Sequence, residues 1–277
     1  MITPFTMDGA VDLPAARRLA RHLISNGSDG LVVAGTTGEC PTLSDEEQVR
    51  LVREVVDEVG AETTVVAGSG TNDTRHACEL TTACCAAGAD AVLVVTPYYN
   101  KPNADGIRAH FAAVAAAADP TPLIVYNIPG RTVVNIPPPL LAELAEIPNV
   151  VAVKQANNDD VGPIDGMDLL AGNDDNFIDC LAAGGPGGIL VASHVVGREM
   201  RDVQQAVEIG DLDRARQLDS SLRDVYEMVA CDTNPIPIKA AMAFLGHCEP
   251  TMRLPMTEPS PEVAARVRST LEARGLI

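Results

Sequence analysis

The strongest constraint on the fold is an alternation of short apolar runs with longer segments of helical spacing. Seven short apolar runs, most of them rich in β-branched residues, occupy residues 29–36, 63–69, 90–96, 122–127, 149–154, 167–172 and 187–193. The centre of each run is continuously apolar, which is typical of strands covered on both faces in a parallel sheet. The sequence therefore predicts an α/β protein.

The segments between these runs have helical composition and spacing. They cover residues 44–59, 75–87, 105–118 and 138–146, and later helical patterns cover 198–209, 212–228, 237–245 and 261–274. Ser44 and Glu47 form a capping-box pattern, which predicts that the first of these helices begins after Ser44. The early runs follow one another at intervals of about thirty residues, the length of one strand–helix unit.

Counting residues 2–4 as a clipped eighth strand, the pattern favours a (β/α)₈ TIM barrel with additional C-terminal helices. We predict one structural unit over 1–277, with the barrel in 1–210 and a C-terminal helical extension in 211–277. The alternative is an open, doubly wound sheet. Its glycine-rich fingerprint is incomplete here, because GSGTND at 68–73 lacks the third glycine.

The charge balance argues against nucleic-acid and membrane-surface partners. The 277 residues include 20 basic and 38 acidic side chains, a net charge of −18 that repels phosphate groups and anionic lipid. The N-terminal residues show no secretory pattern and no apolar stretch approaches a membrane span, so we expect a cytoplasmic location. The seven cysteines form no C-x-x-C pair, which predicts buried thiols in place of zinc ligands or disulfides.

Polar residues follow the apolar runs, at the strand ends where barrel enzymes carry their active sites. Lys154 is the most informative of them, because the chain contains only three lysines and this one directly follows VVAV. Burial disfavours the ammonium form and lowers the pKa, and a neutral amine can attack a ketone to form a Schiff base. The alternatives are an ion pair with Glu39 or Asp174, or a side chain that extends to the rim. Lys101 is predicted to be a loop residue, and Lys239 a structural or surface residue.

A Schiff base needs proton transfer and a site for the substrate carboxylate. Tyr126 ends the preceding run and could relay protons, with Thr36 or Thr37 supplying a hydroxyl; the alternative for Tyr126 is a packed aromatic. Arg131 follows a Pro-Gly turn and could bind a carboxylate through both guanidinium N–H groups, or anchor its loop by a salt bridge. The residues around Thr36 offer backbone N–H groups to a carboxylate.

Other catalytic patterns are incomplete. There is no H-E-x-x-H, no G-x-S-x-G and no Walker loop. The five histidines are isolated in the sequence, so core or solvated roles are favoured over metal binding. We therefore expect no metal and no cofactor.

Six segments together resemble the dihydrodipicolinate synthase family of the N-acetylneuraminate lyase superfamily. They are GTTGE (35–39), TPYYNKP (96–102), YNIPGRT (126–132), VAVKQA (151–156), NPIPIKAA (234–241) and RLPMT (253–257). The resemblance covers essentially the whole chain. It implies a (β/α)₈ barrel with C-terminal helices, a homotetramer built as a dimer of dimers, and a metal-independent mechanism. The implied substrates are pyruvate and L-aspartate 4-semialdehyde, in lysine and diaminopimelate biosynthesis.

The resemblance also implies individual roles. Lys154 resembles the Schiff-base lysine and Tyr126 the proton-relaying phenol. Thr36 and Tyr99 resemble the relay partners, with Tyr99 reaching in from a neighbouring subunit. The residues implied for substrate binding are Thr37 on the pyruvate carboxylate, Arg131 on the semialdehyde carboxylate, Gly172 and Ile189. Gln155 departs from the family pattern, in which an acidic residue often follows the lysine.

Two alternative functions remain open at this point. One is a 2-keto-3-deoxy-sugar-acid aldolase, or another pyruvate-dependent class I aldolase of the same superfamily. The other is a non-catalytic regulator that binds a keto acid on the same barrel.

Overall fold

A computed structural model describes all residues, 1–277, and the chain divides into two compact units. The first unit comprises residues 1–63 and 191–277, and the second comprises residues 64–190. The predicted boundary at residue 210 stays a prediction. No helix combines the length and hydropathy that a membrane span requires.

The N-terminal part of the first unit holds two helices and one strand. These are α1 (Leu13–Ser25), β1 (Gly30–Val33) and α2 (Asp45–Val59), and two 3₁₀ turns, Thr36–Gly38 and Cys40–Thr42, lie between β1 and α2. The predicted capping box is confirmed. The Glu47 amide donates to Ser44 Oγ at 3.2 Å, and the Ser44 amide donates to Glu47 Oε2 at 3.0 Å. These two bonds pair amides that α2 itself leaves without helical partners.

The second unit contains six strands in one parallel sheet, ordered as in the sequence. They are β2 (Thr64–Gly68), β3 (Ala91–Val95), β4 (Leu123–Asn127), β5 (Val150–Gln155), β6 (Asp168–Ala171) and β7 (Gly187–Gly188). The helices are α3 (Thr74–Ala86), α4 (Ala104–Ala118), α5 (Pro129–Thr132), α6 (Pro138–Leu144) and α7 (Phe177–Ala182). Every residue of β4 is buried, as expected for a strand covered on both faces.

The rest of the first unit is helical. Its helices are α8 (Ser193–Glu208), α9 (Leu212–Ser220), α10 (Arg223–Val229), α11 (Ile236–Phe244) and α12 (Pro261–Ala273). The prediction of one helix over 212–228 is wrong, because the helix is interrupted between α9 and α10. Ser221 closes the first helix there, with its hydroxyl donating to the Leu218 carbonyl at 2.6 Å.

All seven predicted strands are present, but the seventh is shorter than expected. Only Gly187 and Gly188 pair with β6, and the chain turns at Val191, whose carbonyl accepts from the His194 amide at 3.2 Å. The eighth strand expected at residues 2–4 is absent. The Ile2 amide donates to His194 Nε2 at 3.2 Å, so a side chain replaces the backbone partner that a strand would use.

Candidate functional site

Lys154 and Tyr126 face each other on neighbouring strands of the second unit. They are register partners near the carboxyl ends of β5 and β4. The Lys154 side chain is only 9% exposed, and its Nζ lies 4.2 Å from the centre of the Tyr126 ring, which is also buried. The amine therefore lies against an aromatic face and is almost withdrawn from solvent. The structure thus brings together the two residues that the strand-end argument singled out.

The backbone on either side holds this pair in place. The Tyr126 carbonyl accepts from the Thr96 amide and from Thr96 Oγ1, both at 3.0 Å. On the opposite side, Lys154 pairs in register with Leu170 of β6. Both residues therefore lie on ordered interior strands, which can hold reacting groups more rigidly than a loop can.

Asn127 and Gln155 occupy the opposite face of the same strands, because successive residues of a strand point to opposite sides. Asn127 Nδ2 donates to Gln155 Oε1 at 3.0 Å, and Asn127 Oδ1 accepts from the Ile136 amide at 3.0 Å. Gln155 Oε1 also accepts from the Asn157 amide at 3.0 Å. This amide network ties the loops after β4 and β5 to the strands behind Lys154. Sequence reasoning missed it, although the polar residue that ends each strand was a usable signal.

Gln155 also carries a buried polar atom without a protein partner. Its side chain is fully buried, and Nε2 has no hydrogen-bond acceptor. A carboxylate at this position would have no such donor to satisfy. The amide of Gln155 therefore leaves one buried donor group without a partner.

Gly172 and Ile189 follow the ends of β6 and β7. The Gly172 amide donates to the Gln155 carbonyl at 2.8 Å, and a Cβ at Gly172 would lie 2.7 Å from that carbonyl. The Ile189 amide donates to the Ala171 carbonyl at 2.9 Å. Close approach of Gly172 to the backbone beside Lys154 explains why a residue without a side chain stands there.

Arg131 and Tyr99 lie on exposed connections of the second unit. Arg131 belongs to the single-turn helix α5 and its side chain is exposed. Tyr99 is 88% exposed and has a left-handed backbone with φ of +68°. Left-handed non-glycine residues cost free energy and recur at functional positions. The structure therefore leaves the Tyr99 side chain in solvent, on a strained turn of its own chain.

Thr36 and Thr37 belong to the first unit, where they begin the 3₁₀ turn Thr36–Gly38, separated by two residues from the end of β1. The Glu39 amide closes the turn by donating to the Thr36 carbonyl at 3.1 Å. Thr37 Oγ1 accepts a hydrogen bond from Asn234 Nδ2 at 3.0 Å. The predicted carboxylate-binding turn is therefore an ordered element.

Lys239 is structural, and it is fully buried. Its Nζ lies 2.5 Å from Glu39 Oε1, and each side chain is 1% exposed. Burial lowers the pKa of Lys239, and the Glu39 carboxylate opposes that shift. Glu39 was one of the alternative ion-pair partners considered for Lys154, and its partner is Lys239.

Two of the histidines that are isolated in the sequence are adjacent in the first unit. The ring centres of His22 and His247 are 3.9 Å apart. Burial lowers the pKa of His247, with His22 adding to the shift. No group of three side chains suited to a metal ion is present in the structure.

Comparisons with known proteins agree on one family. The model of the dihydrodipicolinate synthetase family matches residues 1–274. A 4-hydroxy-tetrahydrodipicolinate synthase from Desulforudis audaxviator is 43% identical, over 100% of this chain and 96% of that protein. The solved dihydrodipicolinate synthase of Aquifex aeolicus superposes with a TM-score of 0.95 at 40% identity, covering 100% of this chain and 96% of that one. The enzyme of Cyanidioschyzon merolae, solved with lysine bound, gives 0.96 at 38% identity, with 100% and 97% covered.

Proposed function

Since the chain belongs to the dihydrodipicolinate synthetase family, we propose that Lys154 is the residue through which it condenses pyruvate with L-aspartate 4-semialdehyde. The product is 4-hydroxy-tetrahydrodipicolinate, an intermediate of lysine and diaminopimelate biosynthesis. The observation that carries the role of Lys154 is its position, with a nearly buried amine held 4.2 Å from the Tyr126 ring at a strand end.

The first half of the reaction makes a carbon nucleophile. The neutral Lys154 amine attacks C2 of pyruvate, and loss of one water gives an imine. Removal of a proton from C3 then converts the imine to an enamine. Tyr126 is adjacent to the nitrogen and is the group we assign to carry protons to and from it.

The second half joins the two substrates. The enamine C3 attacks the aldehyde carbon, forming a carbon–carbon bond and a hydroxyl group. The substrate's own amine, after losing a proton, attacks the imine carbon. That attack forms a carbon–nitrogen bond and closes the six-membered ring. The carbon–nitrogen bond to Lys154 then breaks as the lysine nitrogen takes up the proton lost by the substrate amine, which regenerates the free amine.

We assign the remaining roles by analogy with the family. Thr36 and Tyr99 extend the proton relay from Tyr126. Thr37 binds the pyruvate carboxylate, and Arg131 binds the carboxylate of the semialdehyde as a planar fork. Gly172 and Ile189 line the substrate position with their backbones. The exposed phenol of Tyr99 supports a role across a subunit interface.

The complete fold and assembly are part of the proposal. We infer a (β/α)₈ barrel in which residues 1–4 occupy the place of the eighth strand. The Met1 amine donates to the Val32 carbonyl at 2.6 Å, so this segment runs beside β1 within the first unit. We also infer a homotetramer, built as a dimer of dimers, located in the cytoplasm. Sedimentation at several protein concentrations tests the assembly.

Borohydride trapping tests the central claim. Reduction in the presence of pyruvate is expected to add one reduced pyruvate per chain, located by peptide mapping on Lys154. Lys154→Ala should abolish the adduct, and Lys101→Ala is the matched control that should keep it. Because the chain has only three lysines, the assignment is unambiguous. An adduct that persists in Lys154→Ala would refute the proposal.

The second substrate needs its own measurement. The names of the full-length relatives do not favour the sugar-acid aldolase alternative. Condensation of pyruvate is compared with aspartate semialdehyde and with glyceraldehyde. We expect a kcat/KM at least about a hundredfold higher for the semialdehyde, since Arg131 has a carboxylate to bind only there. A preference for glyceraldehyde would contradict the assignment.

A further inference from the structure

The segment that leads into helix α11 contacts the Thr36–Gly38 turn, and the helix itself contacts Glu39, the residue after that turn. Just before the helix, Asn234 Nδ2 donates to Thr37 Oγ1 at 3.0 Å. Within the helix, Lys239 Nζ donates to Oε1 of Glu39, the residue whose amide closes the 3₁₀ turn. These contacts join residues 197 and 200 positions apart, so they depend on the tertiary fold alone.

The Lys239–Glu39 contact is an ion pair withdrawn from water. Phe5 lies against it, with its ring centre 4.1 Å from Lys239 Nζ. The second oxygen of Glu39 accepts from the Arg253 amide at 3.3 Å. A buried pair with both partners satisfied tolerates no displacement of either group, because separation would leave an uncompensated charge in the interior.

The backbone of Glu39 explains how the pair reaches the turn. Glu39 has φ of +56°, and it stands between the 3₁₀ turns Thr36–Gly38 and Cys40–Thr42. A left-handed non-glycine residue persists where its surroundings hold it. The carboxylate contact with α11 supplies that restraint, two residues after Thr37.

The Asn234 contact determines how the Thr37 hydroxyl is used. A hydroxyl has one proton to donate and two lone pairs that accept. Asn234 presents an N–H group to Thr37 Oγ1, so the hydroxyl is the acceptor in this bond. Its own proton is left to point elsewhere, which is the orientation needed to donate to an anion.

We propose that Asn234 and the Lys239–Glu39 pair are positioning residues for pyruvate, which orient the Thr37 hydroxyl proton and hold its turn in register. The inference rests on the proposed function, in which Thr37 binds the pyruvate carboxylate. It assigns to the C-terminal helices a task in substrate binding.

A double-mutant cycle tests the Asn234 contact. The readout is the pyruvate concentration that gives half-maximal borohydride trapping, together with the maximal fraction trapped. Asn234→Ala should raise the half-saturating concentration about tenfold and leave the maximal fraction within about twofold. In the Thr37→Val background, Asn234→Ala should have almost no further effect, because it acts through the hydroxyl. Equal effects in both backgrounds, or no effect in either, would overturn the inference.

The ion pair is tested by a neutral replacement. Lys239→Met alone is expected to lower stability strongly, because it leaves Glu39 buried and unpaired. The double variant Glu39→Gln with Lys239→Met removes both charges and should fold. It should still show a several-fold rise in half-saturating pyruvate. If the double variant folds and its half-saturating pyruvate concentration equals that of the wild type, the Lys239–Glu39 pair has no positioning role.

These outcomes separate the two proposals. Absence of a trapped adduct in the wild-type protein would refute the proposed function. A normal wild-type adduct with unchanged half-saturation in Asn234→Ala would refute only the positioning role.

Discussion

Lys154 Nζ lies 4.2 Å from the centre of the Tyr126 ring, and the two residues are register partners on adjacent parallel strands. Tyr126→Phe keeps the aromatic face under the amine and removes only the phenol. We therefore expect kcat to fall by about two to four orders of magnitude, the range for loss of a general acid–base group. Tm should change little, because the ring stays in place. Steady-state kinetics and thermal unfolding measure the two effects.

Tyr226→Phe is the matched control for that change. Tyr226 is also buried, and its hydroxyl donates to Asp219 Oδ1 at 3.1 Å, in a helical part of the first unit. It should lose about 1 kcal/mol of stability and keep its kcat. Equal losses of activity in Tyr126→Phe and Tyr226→Phe would contradict a proton-transfer role for Tyr126.

Gly172→Ala should disturb the end of β5 next to Lys154. The added Cβ would lie 2.7 Å from the Gln155 carbonyl carbon and oxygen, which are backbone atoms that cannot rotate away. We expect a loss of about 1–3 kcal/mol in the free energy of unfolding, with a reduced kcat. Denaturant unfolding measures the stability. Gly187→Ala is the control, since a Cβ there meets no atom within 4 Å, and it should leave both quantities nearly unchanged.

Local sequence was sufficient for the strands and for Lys154. A continuous apolar run such as VVAV is typical of an interior strand of a parallel sheet, so the strand and the polar residue that follows the run could be inferred together. Val151 departs from that expectation, since it is 40% exposed. The neighbour relationship between β4 and β5 also follows from sequence order in a parallel sheet. That is why the pairing of Tyr126 with Lys154 could be anticipated.

The rest depended on contacts that leave no local pattern. The partner of Glu39 is 200 positions away, and nothing around Lys239 distinguishes a buried lysine from a surface one. The adjacency of His22 and His247 is equally non-local. The prediction of an eighth strand was wrong for a related reason. The Ile2 amide, which would pair with a neighbouring strand, donates to the side chain of His194 in α8.

His194 should make stability depend on pH. Its Nε2 accepts from Ile2 and its Nδ1 donates to the Val191 carbonyl at 2.8 Å, so the ring is neutral. Burial lowers the pKa of His194 to about 3, whereas in the unfolded chain it is about 6.5. The unfolded state therefore binds the proton first, and stability is lost as pH falls below about 6.5.

The expected size can be measured against a variant that does not titrate. Between about pH 7.5 and pH 5.5 this group should cost the wild type about 1.4 kcal/mol in the free energy of unfolding. His194→Gln keeps an acceptor for Ile2 and should not show this loss. The free energy of unfolding of the wild type minus that of His194→Gln should therefore be smaller by that amount at about pH 5.5 than at about pH 7.5, as measured by denaturant unfolding. A pH-independent difference would contradict the prediction.

Arg131→Ala should weaken binding of the second substrate selectively. Loss of a charge-assisted contact to a carboxylate corresponds to about ten- to hundredfold in affinity. We expect KM for aspartate semialdehyde to rise by that factor, with half-saturating pyruvate for imine trapping unchanged within about twofold. Arg131→Lys keeps the charge without the planar guanidinium, so its KM for aspartate semialdehyde should lie between those of the wild type and Arg131→Ala. Equal effects on both substrates would indicate that Arg131 stabilises its loop and does not bind the semialdehyde carboxylate.

Tyr99 offers a test of whether the site is shared between subunits. Its phenol is 88% exposed on a left-handed turn, and the proposed relay needs it beside another chain's Lys154. Lys154→Ala and Tyr99→Phe should each be nearly inactive. When the two variants are unfolded together and refolded, each mixed dimer should contain one site with intact Lys154 and intact Tyr99.

That arrangement predicts recovery of activity by mixing. With random pairing, half of the dimers are mixed and each has one complete site, so about a quarter of wild-type activity should return. If Tyr99 served its own chain, every site of a mixed dimer would lack one of the two groups, and mixing would recover nothing. Co-refolding Lys154→Ala with Tyr126→Phe is the control, because these two residues belong to the same sheet and cannot complement across chains.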